Sequence, residues 1–144
     1  MPGNSADLAR YQGFQPYEPA PDEPYMSPEQ EAHFRAMLTH WRRTLMEEVD
    51  RTVDHMKSEA TQHADPNDRA TQESDIGLEL RTRDRERKLI AKIDGALRQL
   101  DEHEYGYCKE CGVEIGLRRL EARPTADLCI DCKTAQEQQE KTFG

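Results

Sequence analysis

The sequence predicts a mainly α protein: a long antiparallel coiled-coil hairpin, a small four-cysteine module and a C-terminal helix. Three observations carry this expectation. Apolar residues recur at helical spacing along two long segments. Ser27-Pro28 and Asp65-Pro66 open those segments with the same grammar. Cys108-Lys-Glu-Cys111 and Cys129-Ile-Asp-Cys132 set four thiols in two C-x-x-C pairs, seventeen residues apart. The expected organisation is an arm over 1–26, the hairpin over 27–104 with its tip near 65–70, the cysteine module over 105–133 and a last helix over 134–144.

Composition argues against a compact core. Of 144 residues, 35% are hydrophobic and 34% charged, with a mean hydropathy of -1.02. A chain this polar is better served by an elongated helical body and a metal-stapled module than by a globule. Residues 1–26 are rich in Pro, Tyr and Gly and have no sustained period, so they read as an extended arm that packs locally through Tyr17 or Tyr25. They lack the basic start and apolar run of a signal peptide. No apolar stretch approaches bilayer length. The expectation is therefore a cytoplasmic, reducing setting, no membrane, and cysteines that bind metal rather than form disulfides.

The first long helix starts at Ser27-Pro28-Glu29-Gln30. Ser27 suits the cap, Pro28 the first helical position, and Gln30 a capping box. Apolar positions then fall at Phe34, Leu38, Trp41, Leu45, Val49, Val53, Met56 and Ala60, in steps of three or four that trace one stripe. Asp65 precedes a proline, which disfavours continuing the helix. The second helix opens there, with Asp65 as cap and Asp68 in the first turn. It carries Ile76, Leu80, Ile90, Ile93, Leu97 and Leu100. Between Leu80 and Ile90 its seam falls near Arg83 and Arg87, and a fold at Asp65 would set Arg83 near Glu47 and Glu48. Each helix runs close to forty residues, on the order of 55 Å. A short turn makes them antiparallel neighbours.

Tyr105-Gly106-Tyr107 ends the second helix and leads into the cysteines. Four thiolates close a tetrahedron around one Zn²⁺, and each two-residue gap aims both sulfurs at the same ion. A full shell leaves no open position, so structural zinc is favoured over catalytic zinc; a redox dithiol or an iron centre is the alternative. Lys109, Arg118, Arg119 and Lys133 can offset the negative charge of such a site. Lys133 to Lys141 contains good helix formers and reads as the last helix.

Net charge is -9, unevenly spread. Residues 47–79 hold ten acidic and three basic residues, a net of -7, whereas 81–104 hold seven basic and six acidic. The acidic stretch repels nucleic-acid phosphates. Capping and dipole compensation account for Asp65 and Asp68, but a carboxylate pair on a long arm would also suit a bound Mg²⁺ that the arm reaches. Arg81, Arg83, Arg85, Arg87 and Lys88 form a basic run that reads as a solvated, internally paired face. Lys92, Arg123 and Lys133 fall where helix and cysteine module join and suit a polyphosphate.

The chain resembles the DksA/TraR family, bacterial factors that bind RNA polymerase. The carriers are HFRAMLTHWR at 33–42, Asp65-Pro-Asn-Asp68-Arg-Ala70 at the turn, LELRTRDRERKLI at 78–90 and YGYCKECGVEIGLRRLEARPTADLCIDCK at 105–133. The resemblance covers nearly the whole chain from about Tyr25 onward. It implies a monomeric, non-enzymatic transcription factor that docks on RNA polymerase and inserts its coiled coil into the secondary channel, near the catalytic Mg²⁺. Asp65, Asp68 and Ala70 match the functional tip motif. The resemblance further implies destabilised open complexes, repression of ribosomal RNA promoters and activation of some others, together with guanosine tetraphosphate. Leu89, Lys92, Arg123 and Lys133 match the alarmone site, and the complete cysteine set favours the zinc-containing form. Two other readings compete. One is an activator of transcript cleavage like the Gre factors, with tip carboxylates holding Mg²⁺; the other is a zinc-ribbon nucleic-acid binder.

Overall fold

The computed structural model describes residues 14–60 and 66–143; the side chains of 56, 59–60, 66–74 and 142–143 lie outside the described set. The described residues form four helices: α1 (Pro28–Ala60), α2 (Pro66–Asp101), α3 (Leu117–Ala122) and α4 (Ile130–Phe143). One isolated antiparallel bridge, Tyr107 to Glu114, stands beside them. The long helices have 33 and 36 residues. The chain divides into two compact units, one of residues up to Trp41 together with Ile93 onward, the other Arg42–Lys92.

In the first unit, α1 begins at the expected cap. The Gln30 amide donates to Ser27 Oγ at 3.2 Å. The return bond of the capping box differs from expectation: Gln30 Oε1 accepts from the amide of Met26 at 2.7 Å, one residue earlier than Ser27. Ser27 Oγ donates to Glu23, whose carboxylate also accepts from Tyr17 Oη at 2.7 Å, Gln30 Nε2 at 2.9 Å and the Ala20 amide at 3.0 Å. These four donors, with Ser27 foremost, hold Glu23 down to about 2. The arm thus ends in a knot of hydrogen bonds that fixes where α1 starts.

Here α1 and α2 run antiparallel. Arg35 Nη2 meets Asp101 Oδ1 at 2.8 Å, and His103 Nδ1 lies 3.1 Å from Glu31 Oε2. Phe34, Met37, Leu38, Ile93, Ala96, Leu100, Tyr105 and Leu120 are buried, and the Phe34 and Tyr105 rings pack at 5.6 Å. After α2, the Glu104 amide bonds Gln99 O at 2.8 Å and the His103 amide bonds Leu100 O at 3.2 Å, a Schellman stop. His103 takes the left-handed position (φ 59) that glycine usually fills.

In the second unit, Leu45, Val49 and Ile90 are buried. His55 Nδ1 lies 2.6 Å from Glu79 Oε1, and Glu48 faces Glu86 closely enough to raise the pKa of that carboxyl. Seven residues back along α1 meet seven forward along α2, as antiparallel pairing requires. The seam of α2 runs Ile76, Glu79, Arg83, Glu86, Ile90, all at least half-buried. It is polar as expected, but its composition differs. Arg87 and Leu80 are exposed, and the expected Arg83 pairing with Glu47 or Glu48 does not form: Arg83 Nε is buried without a partner. The 76–79–83–86–90 spacing selects Glu86 instead, and Glu48 meets that carboxyl.

Candidate metal centre

The first knuckle hangs on a tight turn. The Cys108 amide bonds Val113 O at 2.8 Å, the Gly112 amide bonds Cys108 O at 2.9 Å, and the Ile115 amide bonds Gly106 O at 2.8 Å. Gly106 and Gly112 both take positive φ (93 and 79), which an L side chain rarely tolerates. The second knuckle is a helix start. Contrary to the sequence expectation of a helix from 134, α4 opens at Ile130, so Cys132 sits in its first turn. The Lys133 amide bonds Cys129 O at 2.9 Å, and the Cys132 amide points at Cys129 Sγ at 3.5 Å. The Lys109 amide ties the two knuckles by bonding Asp127 O at 2.9 Å.

All four sulfurs of Cys108, Cys111, Cys129 and Cys132 lie within 4.8 Å of one another, with Cys111 and Cys129 at 3.7 Å. A tetrahedral Zn–S bond of about 2.3 Å spaces its sulfurs by about 3.8 Å. The donors therefore fit one structural zinc in both chemistry and spacing. Cys108 and Cys129 are buried, Cys132 is half-buried and Cys111 exposed. Leu128 and Ile115 supply the surrounding apolar cover.

The thiols do not ionise alike. Burial pushes Cys108 up, but the amides of Cys111, Cys129 and Glu110 outweigh it and hold the thiol down to about 6. The sulfurs of Cys129, Cys108 and Cys111 drive Cys132 far up instead. Four thiolates this close repel one another, so a cation is needed for all four to ionise. Nearby, Lys109 Nζ pairs with Asp127 Oδ2 at 3.2 Å, Arg119 Nε donates to Leu128 O at 3.1 Å, and Lys133 Nζ donates to Gln136 Oε1 at 3.3 Å.

The other predicted site residues are spread along the chain. Asp65 lies outside the described residues. Asp68 and Ala70 belong to the first turns of α2, their side chains outside the described set. Leu89 is half-buried and Lys92 exposed on α2; Arg123 is exposed at the end of α3, and Lys133 is half-buried on α4.

Two residues of consequence have no motif to announce them. Glu121 is a buried carboxylate whose Oε1 accepts from the Tyr17 amide and lies against His33 Nε2, both at 2.8 Å. The only sequence sign is a Glu following Leu117 and Leu120 in a short helix. The other is Tyr25, whose hydroxyl donates to Gly106 O at 2.7 Å and accepts from the Gly116 amide at 3.0 Å.

Comparisons with known proteins span the whole of this arrangement. The family described as DnaK suppressor protein DksA, N-terminal domain, matches residues 30–100. The prokaryotic dksA/traR C4-type zinc finger matches residues 103–138. The chain is 56% identical over 141 residues to the RNA polymerase-binding transcription factor DksA of Escherichia coli (strain K12), covering 98% of this chain and 93% of that one. It is 50% identical over 138 residues to the protein of that name from Buchnera aphidicola subsp. Acyrthosiphon pisum (strain APS), covering 96% and 91%. The solved structure of transcription factor DksA2 from Pseudomonas aeruginosa aligns with a TM-score of 0.78 at 36% identity, covering 95% of this chain and 99% of that one.

Proposed function

The chain belongs to the DksA family, and from that premise we propose that it is a transcription factor that binds RNA polymerase and tunes initiation without chemistry of its own. The observation that carries the reading is the continuous match over both long helices and the zinc finger, at 56% identity to a factor named for binding RNA polymerase. In this reading the end of the hairpin where α1 gives way to α2 enters the secondary channel and brings Asp65, Asp68 and Ala70 close to the catalytic Mg²⁺. The carboxylates act on the metal or its water shell, directly or through solvent.

Guanosine tetraphosphate binds at the polymerase interface, where Lys92, Arg123 and Lys133 neutralise its phosphates and Leu89 packs against it. The net charge of -7 over residues 47–79 supports a protein target over DNA, since duplex phosphates require Lys and Arg. No helix among the described residues is long and apolar enough to cross a membrane.

The test is the lifetime of open complexes formed by purified RNA polymerase at a ribosomal RNA promoter, with and without guanosine tetraphosphate. The reading predicts a shorter lifetime with the protein and a further shortening with the nucleotide. An unchanged lifetime, or efficient transcript cleavage in a stalled elongation complex, would overturn it.

A further inference from the structure

Besides the Tyr17 amide on Glu121, the N-terminal arm meets the zinc finger at the base of the first knuckle, a contact that nothing in its motifs explains. Tyr25 Oη donates to Gly106 O at 2.7 Å and accepts from the Gly116 amide at 3.0 Å. Those two glycines bracket the loop that carries Cys108 and Cys111. Within that loop, Ile115 N to Gly106 O and Cys108 N to Val113 O close the turn, and Gly106 O therefore serves both the loop and the arm. The approach is tight: a Cβ on Gly106 would sit 3.0 Å from Tyr25 Oη and 3.1 Å from Met26 Cε. The Tyr25 ring also meets the Tyr107 ring edge-on at 5.5 Å.

Tyr25 is itself held in place. The bond from the Met26 amide to Gln30 and the Ser27 cap fix the next two residues, and Glu23 gathers four donors just before it. The hydroxyl is thus a fixed post that pins both ends of the first knuckle.

We propose that Tyr25 is a positioning residue of the metal centre: its hydroxyl holds loop 106–116 in the shape that presents Cys108 and Cys111 to zinc, so arm docking and zinc retention are coupled. Tyr25 touches neither sulfur, so it acts through the loop. Coupling of this kind is reciprocal. Zinc therefore strengthens arm docking as much as the docked arm strengthens zinc binding.

The test uses the full-length, zinc-loaded protein and two single-atom deletions. Tyr25→Phe removes the bridging hydroxyl and keeps the ring. Tyr107→Phe removes the hydroxyl of the adjacent, exposed ring as the control. Zinc transfer to a chromogenic chelator should be about tenfold faster in Tyr25→Phe, as for other groups that orient metal ligands, and unchanged in Tyr107→Phe. Amide hydrogen exchange over residues 14–27 should quicken in the wild type when zinc is removed, and should depend less on zinc in Tyr25→Phe. Equal zinc transfer from Tyr25→Phe and wild type overturns the proposal. So does arm exchange in the wild type that ignores zinc, a result that needs no variant.

Discussion

Stripping zinc from the cysteine cluster should unfold the finger and spare the long helices. The four sulfurs lie within 4.8 Å of one another, so without a cation they must hold their protons or repel. The local apolar support is thin: Leu128 and half-buried Ile115 beside the cysteines themselves. Each such side chain contributes about 1.5–3 kcal/mol when fully buried. Ordering the backbone costs roughly 1–2 kcal/mol per residue. The loops around the cysteines cannot be held by apolar burial alone, and metal binding supplies the difference.

The long helices rest elsewhere, on Phe34, Met37, Leu38, Ile93, Ala96 and Leu100. They contain 33 and 36 residues, against 6 and 14 in α3 and α4. Even complete loss of both short helices would remove only about a fifth of the far-ultraviolet helical signal, so chelation in the presence of a reductant should cost no more than that. Near-ultraviolet signals from Tyr107 should change more. Loss of more than half of the helical signal would refute the reasoning, because the finger would then be nucleating the long helices.

Acid should release the arm. Glu23 is held down to about 2, first by Ser27. Its contribution is therefore present above the ordinary carboxylate range near 4.5 and lost as the pH falls toward 2; tyrosine near-ultraviolet circular dichroism should report the step, and Glu23→Gln should abolish it. Glu86 is shifted the other way, raised by burial and then by Glu48. The folded state prefers its protonated form, so that preference is lost as the pH rises through the raised value. Glu86→Gln, which mimics the protonated carboxyl, should raise the neutral-pH melting temperature by about 2 °C; a lower one would contradict the carboxyl pairing. Replacing Lys92, Arg123 or Lys133 with Ala should shift the guanosine tetraphosphate dose response about tenfold and spare the nucleotide-free effect on open complexes. An unchanged dose response would reject these residues as the alarmone site.

Much of the architecture was legible from local rules. Ser27-Pro28 marks the start of α1, and Pro66 begins α2, because cap and proline preferences act within one turn. The C-x-x-C spacing identifies the metal centre because two short turns suffice to converge four sulfurs. What stayed hidden depends on distant chain meeting distant chain. Tyr25 lies 81 residues from Gly106, and Tyr17 lies 104 from Glu121; no periodicity encodes such encounters. The polar seam of α2 was visible as a gap between apolar positions. Which charge fills it was not, since Arg83 and Glu86 both fit helical spacing and only the facing Glu48 decides how the second is partnered. The sequence places the start of α4 late because Ile130-Asp131 reads as part of a knuckle. The helix begins there because amides of its first turn face Cys129.

The measurement that bears most directly on the account is a parallel titration of wild type and Asp68→Asn with purified RNA polymerase, reading affinity and open-complex lifetime in the same samples. A factor that docks through its body and acts through its turn predicts nearly equal affinities and a lost effect on lifetime for Asp68→Asn. Affinity falling in step with the effect would contradict it.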